Sequence, residues 1–188
     1  MSDFLSFPEA CVLLSAEITN QAREIAKVRE GGGFYVCPAE VAPSSLDAVL
    51  RAYTVPGPFP VSSEGLAGSI YGDPMTNAAF RFVHDSLHAT CCYGFDLTGE
   101  LAAAEHHVRL TAGRLLLDGY GPRAVFSVCL LLWLDTAGQA QHYADNDGAF
   151  LDDQLGTIAS WYYDLSKVQG DVSSQFFQIM AGVLNNDR

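Results

Sequence analysis

The sequence predicts a mostly α-helical protein: a single compact domain over residues 1–188, built as a helical bundle with long irregular loops and one or two short strands. Of its 188 residues, 49% are hydrophobic, which is enough to bury one core. Apolar side chains recur every three or four residues through several segments, as they do along one face of a helix. Clusters of glycine and proline separate these segments and indicate where helices end.

The N-terminal part of the chain alternates regular segments with breakers. A helix is predicted over residues 8–30, because its apolar positions have helical spacing and three glycines follow at 31–33. A short strand is expected at 34–37 and a short helix at 43–52. The next stretch, 54–75, contains so many prolines and glycines that we predict a long irregular loop there. Loops of this length are uncommon in compact domains and are often functional.

A helical hairpin is predicted over residues 76–117, with helices at 76–92 and 100–117 joined by a turn at 93–99. The apolar run at 124–134 (AVFSVCLLLWL) is too short to span a bilayer. It is a buried helix or a buried strand, and periodicity leaves both open. The remaining predicted elements are a polar, turn-rich loop and two closing helices, at residues 135–150, 152–168 and 171–185.

The charge balance excludes several classes of function. The chain carries 22 Asp and Glu against 10 Lys and Arg, a net charge of −12. Binding to duplex nucleic acid or to an anionic membrane needs a basic face, so neither is expected. A metal cation or a basic protein surface is a more suitable partner. Five cysteines without a CxxC motif, and an N-terminus without a basic segment, predict a cytoplasmic protein.

The histidines are the most informative residues, because four of the five fall between positions 84 and 107. At about 100° per residue, four polar side chains of the first hairpin helix lie within about 60° of one another. This first polar stripe consists of Asn77, Arg81, His84 and His88. A polar stripe on an otherwise apolar helix needs a partner, since buried polar groups must be satisfied.

The second hairpin helix carries a matching polar stripe, formed by Glu100, Ala104, His107, Thr111 and Arg114. A short turn makes the two helices antiparallel neighbours, so the stripes are expected to face each other. Three imidazoles and one carboxylate suit a divalent transition metal such as zinc, iron or manganese. The predicted metal ligands are therefore His84, His88, Glu100 and His107. The alternative is that these histidines are ordinary surface or core side chains.

Further residues have predicted roles around this site. Asp85 is a further ligand, a group that orients a histidine, or a general base, and Glu100 is the other candidate base. Arg81 is predicted to orient the substrate, and Arg81 and Arg114 together suit an anionic group. The predicted substrate-binding residues are Asn77, Arg114 and Gln139. His142, on the same polar loop as Gln139, is either part of the pocket or a solvated side chain.

Residues 77–107 (NAAFRFVHDSLHATCCYGFDLTGELAAAEHH) and parts of 135–154 carry a family resemblance. The matching positions are Asn77, Phe80, Arg81, Val83, His84, Asp85, Gly94, Phe95, Gly99, Glu100, Ala103 and His107, followed by Thr136, Gly138 and Gln139. This pattern resembles an uncharacterised domain of bacteriophage and mobile-element proteins with an FRxVHDxxGH…GExxA…H…TxGQ pattern. His88 comes one residue early and lacks the preceding glycine. The resemblance implies a phage origin and selects His107 over His106, but implies no settled activity.

Three hypotheses for the function follow. The first is a phage-type metal-dependent enzyme, a hydrolase or a nucleotide-modifying enzyme, acting on a small-molecule or nucleotide substrate in the host cytoplasm. The alternative is an acidic anti-defence inhibitor that mimics DNA charge and binds a basic host nuclease surface. A third reading is a metal-stabilised structural protein. A DNA mimic needs carboxylates in rows on one face, whereas here they are spread along the chain.

Overall fold

The computed structural model describes residues 4–185, most of which are helical, as the sequence predicts. Helix α1 (Phe7–Val28) begins where the backbone N–H of Ser6 donates to the carboxylate of Glu9. One face of α1 is fully buried and packs against α3 and α5, two helices described below. The fully buried apolar residues of that face are Ala10, Leu14 and Ile18.

Two short strands form a parallel pair. Strand β1 (Phe34–Cys37) is connected through helix α2 (Leu46–Thr54) to strand β2 (Phe59–Ser62), with Phe34 opposite Phe59. Strand β1 and helix α2 confirm the short strand and the short helix that the sequence predicts.

Strand β2 lies inside the stretch 54–75, so the prediction that this stretch has no regular structure was wrong. The backbone N–H groups of Phe59 and Ser63 donate to carbonyls at the two ends of β1. Alternate N–H groups of a strand point in opposite directions, so Pro60 lies where an N–H would face away from β1. A proline is tolerated on such an edge, and Phe59 and Val61 are buried on the inner face.

The predicted hairpin is present, but both of its helices begin earlier than expected. Helix α3 (Pro74–Cys91) and helix α4 (Leu97–Leu117) start after Asp73 and Asp96, whose carboxylates accept hydrogen bonds from backbone N–H groups of the first turn. Cys92 ends α3 in the left-handed conformation. The connection is therefore shorter than the predicted turn, and it places the start of α4 beside the end of α3.

The apolar run is a helix, α5 (Pro122–Trp133), which decides between helix and strand. A π-helical turn (Leu134–Gly138) and helix α6 (Gln139–Asp145) continue it without a break, as Leu134, Gly138 and Gln139 all have right-handed helical dihedrals. The prediction of a loop over residues 135–150 was therefore wrong in its first part. All five residues of the π-helical turn are buried, so tertiary packing overrides their turn propensity.

The chain closes with helix α7 (Gln154–Tyr163), a 3₁₀ turn (Leu165–Lys167) and helix α8 (Val172–Asn185). These confirm the two predicted closing helices. Trp133 at the end of α5 is buried and donates its indole N–H to the carbonyl of Val172, which ties α8 to the core. Within residues 4–185, no helix combines the length and the apolar character needed to cross a membrane.

Candidate metal centre

Three side chains meet at the end of the hairpin where α3 finishes and α4 begins. His84 Nε2 lies 3.2 Å from Glu100 Oε2 and 3.2 Å from His88 Nε2. The third separation, His88 Nε2 to Glu100 Oε2, is 3.5 Å. Each of these residues offers one ligand atom to a shared centre. Three of the four predicted metal ligands are therefore brought together.

The separations of these three atoms match those of ligands on one ion. Zn–N and Zn–O bonds of about 2.0–2.2 Å in a tetrahedral site place neighbouring ligand atoms roughly 3.3–3.5 Å apart. Two imidazoles and one carboxylate leave at least one coordination position open, which is typical of catalytic rather than structural sites. The donor set therefore fits zinc, iron or manganese.

The two histidines are held differently. His88 is fully buried, and its Nδ1 donates to the carbonyl of Tyr93 over 3.0 Å, which leaves its Nε2 facing Glu100. Metal-binding histidines are commonly oriented by such a bond on the other ring nitrogen. His84 stacks against Phe80 with 5.7 Å between ring centroids. Its Nδ1 is buried and has no hydrogen-bond partner within residues 4–185. Packing alone orients this ring.

The charges in the cluster stabilise one another. Burial alone would raise the pKa of Glu100, but the hydrogen bonds with His84 and His88 outweigh it and lower that pKa to about 2. Burial opposes protonation of His88, yet Glu100 and the carbonyl of Tyr93 raise its pKa overall. Glu100 is thus an anion at neutral pH, as a metal ligand must be.

A pocket of about 600 Å³ opens beside this cluster. His84 and Glu100 lie in one wall of the pocket, and residues of the π-helical turn and of α6 form the other wall. Aromatic side chains line the mouth and the interior; they are Phe80, Phe95, Tyr143 and Phe150. The volume is that of a small-molecule site, in which a few polar groups are set among apolar walls.

Asp135 is a pocket residue that the sequence did not single out. It is buried in the π-helical turn and accepts hydrogen bonds from Tyr71 Oη (2.7 Å), Gln139 Nε2 (2.9 Å) and Gln154 Nε2 (2.8 Å). Burial raises its pKa, although the bonds from Tyr71 and Gln154 oppose that shift. Its only sequence signal is its place directly after a long apolar run, where the polar residues that follow predict a loop.

Asn77 and Arg81 do not line the pocket. Both bind the segment after β2: Asn77 Nδ2 donates to the carbonyls of Gly65 and Leu66, and Arg81 donates to the carbonyls of Ser62 and Gly65. The structure therefore gives them a different task from the predicted substrate binding. They fasten an irregular segment to α3, because its backbone carbonyls need donors.

Arg114 and His107 are also engaged elsewhere. Arg114 pairs with Glu17 and Glu24 of α1, which corrects its predicted role in holding a substrate anion. His107 is fully buried and its Nε2 contacts Gln21 Oε1 at 3.1 Å. Burial and the neighbouring His84 hold its pKa well below the usual value, so it is neutral. It lies outside the group of three ligand atoms, so the predicted set of four is reduced to three.

The remaining predicted residues divide. Gln139 lines the pocket, and its Nε2 donates to Asp135; substrate binding by this residue stays a prediction. Asp85 is half-buried next to His84, and desolvation raises its pKa to about 6, but it does not line the pocket. His142 lies on α6, and its Nδ1 contacts the side-chain amide of Asn146, which follows the last residue of that helix. His106 faces Cys91 and Tyr93 on the other side of α4.

Comparisons with protein-family models, with curated proteins and with solved structures found no match to this chain. The resemblance to the phage domain therefore stays a prediction. The geometry of the His84, His88 and Glu100 cluster and of its pocket is the basis for assigning a function.

Proposed function

We propose that His84, His88 and Glu100 hold one divalent transition-metal ion and that the protein is a metal-dependent hydrolase of a small molecule bound in the adjoining pocket. The observation that carries this proposal is the set of three donor atoms, 3.2–3.5 Å apart, beside a cavity of about 600 Å³. A ligand set of this kind with an open position is typical of zinc hydrolases.

The chain's own residues divide the work as follows. When bound, the ion supplies Lewis acidity and lowers the pKa of a coordinated water toward neutrality. Asp135 lines the same pocket, and burial raises its pKa above the ordinary carboxylate value, which suits a general base. Glu100 is the ligand, so it is no longer a candidate base. The apolar walls around Phe80 restrict water and strengthen the electrostatic interactions in the pocket.

Metal content tests this proposal directly. Elemental analysis of the purified, untagged protein after reconstitution is expected to give close to one zinc, iron or manganese per chain. His84→Ala, His88→Ala and Glu100→Gln should each lower metal affinity by about a hundredfold or more, since even residues that merely orient a ligand cost about 10–100-fold. His106→Ala is the matched control, because this histidine is on the same hairpin but faces Cys91.

Circular dichroism of each variant shows whether the fold is retained. Full metal content in all three variants, with the fold intact, would refute the assigned site. A wild-type protein that takes up no metal would refute the proposal and favour the inhibitor hypothesis. In that case binding to a basic nuclease, weakening steeply with salt, is the expected result.

A further inference from the structure

The pocket beside the proposed metal ligands is acidic. Carboxylates of Asp96, Glu100 and Asp135 line it, and no lysine or arginine does so among residues 4–185. The two arginines that the sequence offered for a substrate anion are bound elsewhere, Arg81 to carbonyls and Arg114 to glutamates. A divalent ion offsets two negative charges and leaves the site without the positive excess that a phosphate needs.

The carboxylate and amide oxygens of the pocket are acceptors, and the hydroxyl-bearing residues Ser44, Thr136 and Tyr143 also line it. The Nε2 of Gln139 donates to the backbone carbonyl and to the carboxylate of Asp135. Its Oε1 has no hydrogen-bond partner within residues 4–185. The hydroxyl of Thr136 donates to the carbonyl of Leu132 and is thereby used. The unpaired amide oxygen of Gln139, set among carboxylates that already accept hydrogen bonds, favours a ligand that brings an N–H group. A ligand with acceptor atoms alone would leave this oxygen without a donor.

The mouth of the pocket is aromatic. Phe150 is 76% exposed and packs against Tyr143 with ring centroids 4.7 Å apart, while the partly exposed Phe95 also lines the pocket. Exposed rings grouped around one opening offer stacking faces to a flat ligand, and the same faces attract a cation. Inside, Phe80 continues this apolar surface towards His84.

From these three observations we infer that the pocket binds a flat, nitrogen-bearing ring compound that is neutral or cationic and carries no phosphate, such as a nucleoside or a free nucleobase. This inference rests on the proposed function, since it names the substrate class of that same site. It replaces the expected nucleotide substrate with its unphosphorylated counterpart, because the charge of the pocket discriminates between them.

Calorimetry on the metal-reconstituted protein tests the inference with matched pairs: adenosine against its 5′-monophosphate, and cytidine against its 5′-monophosphate. The nucleoside of at least one pair is expected to bind about tenfold or more tightly than its phosphate. Phe150→Ala should weaken nucleoside binding several-fold. Phe177→Ala is the control, since this ring is also exposed but lies on α8 outside the pocket lining, and it should have no effect.

The outcomes separate the inference from the proposed function. Equal or tighter binding of the monophosphates, or no binding by either partner of both pairs, would overturn the inference while metal content still supports the metal site. Nucleoside binding that is sensitive to Phe150→Ala in a protein without metal would support the inference and refute the proposed function. Neither test needs an activity assay, because ligand binding tests the inference and metal content tests the proposed metal site.

Discussion

Asp135 connects three separate parts of the chain through one buried carboxylate. Tyr71 comes from the segment before α3, Gln139 from the start of α6 and Gln154 from the start of α7. A buried carboxylate is costly unless its oxygens are satisfied, and these three donors satisfy them. The bond from Tyr71 lies beneath the pocket, since the Tyr71 ring also stacks on Phe80 with 4.6 Å between centroids.

Tyr71→Phe is predicted to destabilise the protein in a pH-dependent way. Burial raises the pKa of Asp135 above its usual value, and above that raised pKa the carboxylate is charged. The lost bond to a charged acceptor should cost about 2 kcal/mol at pH 7, falling to about 1 kcal/mol as the pH drops and Asp135 takes up a proton. Chemical denaturation of both proteins between pH 4 and pH 8 measures this difference.

Tyr162→Phe is the matched control for that experiment. Its hydroxyl donates to the backbone carbonyl of Leu5 over 2.9 Å, an acceptor that does not titrate. The loss should be about 1 kcal/mol and the same at every pH. A Tyr71→Phe loss that is likewise constant from pH 4 to pH 8 would contradict the role given to Asp135.

The grouping of His84, His88 and Glu100 could be predicted from the sequence, because helical periodicity shows which side chains of the two hairpin helices share a face. The same reasoning failed for His107, because two residues on one face of a helix can still be far apart along the helix axis. Seven residues of helix rise about 10 Å, so His107 lies two turns along α4 from Glu100, beside Phe80. The role of Asp135 could not be predicted, because Tyr71 and Gln154 are distant from it in sequence and no local pattern encodes such contacts.

At the scale of elements, the turn between α3 and α4 fixes the position of Glu100. Gly99 is buried in the first turn of α4, and a Cβ atom there would overlap with the backbone of Gly94 in the turn. The close approach needs a residue without a side chain. Gly113, on the same helix, has open space where its Cβ would be, with nothing within 4 Å.

Gly99→Ala and Gly113→Ala are therefore predicted to have opposite effects. Gly99→Ala should destabilise the protein by about 1–3 kcal/mol and weaken metal binding, because the turn must shift and Glu100 moves with it. Gly113→Ala should stabilise it by about 0.5–1 kcal/mol and leave metal affinity unchanged. Thermal unfolding and metal titration of the pair check this. A stable, fully metal-binding Gly99→Ala protein would show that the turn does not position the ligand.

The π-helical turn is the element that sequence reasoning missed most completely. Residues 134–138 (LDTAG) contain aspartate, threonine and glycine, which favour turns when they are exposed. Here each is buried, and the hydroxyl of Thr136 returns its hydrogen bond to the preceding helix. Such widened turns occur frequently at functional sites, and this one brings Asp135 and Gln139 to the pocket.

For the whole molecule, the excess of negative charge is predicted to make stability depend on salt. The chain has 22 acidic and 10 basic residues, so repulsion among carboxylates opposes the compact state. Raising sodium chloride from about 0.01 M to about 0.1 M shortens the screening length from about 30 Å to about 10 Å and should raise the Tm by a few degrees at pH 7. Differential scanning calorimetry measures this.

The same scan at pH 5 is the control, since partial protonation there reduces the net charge and should reduce the effect of salt. A Tm that falls with added salt at pH 7 would mean that attraction outweighs repulsion. The ion pairs of Arg114 with Glu17 and Glu24, and of Arg109 with Glu105, would then dominate the electrostatics.

The position of the ligands in the chain has a consequence for how the protein folds. His84 and Glu100 are only sixteen positions apart, so forming the hairpin closes a short loop and is enough to assemble the ligands. Asp135 and Tyr71 meet across 64 positions, which requires the intervening helices α3, α4 and α5 to be in place. The ion proposed above would therefore find its three ligands in a hairpin that forms early, whereas the pocket beside it needs contacts between segments that are distant in sequence.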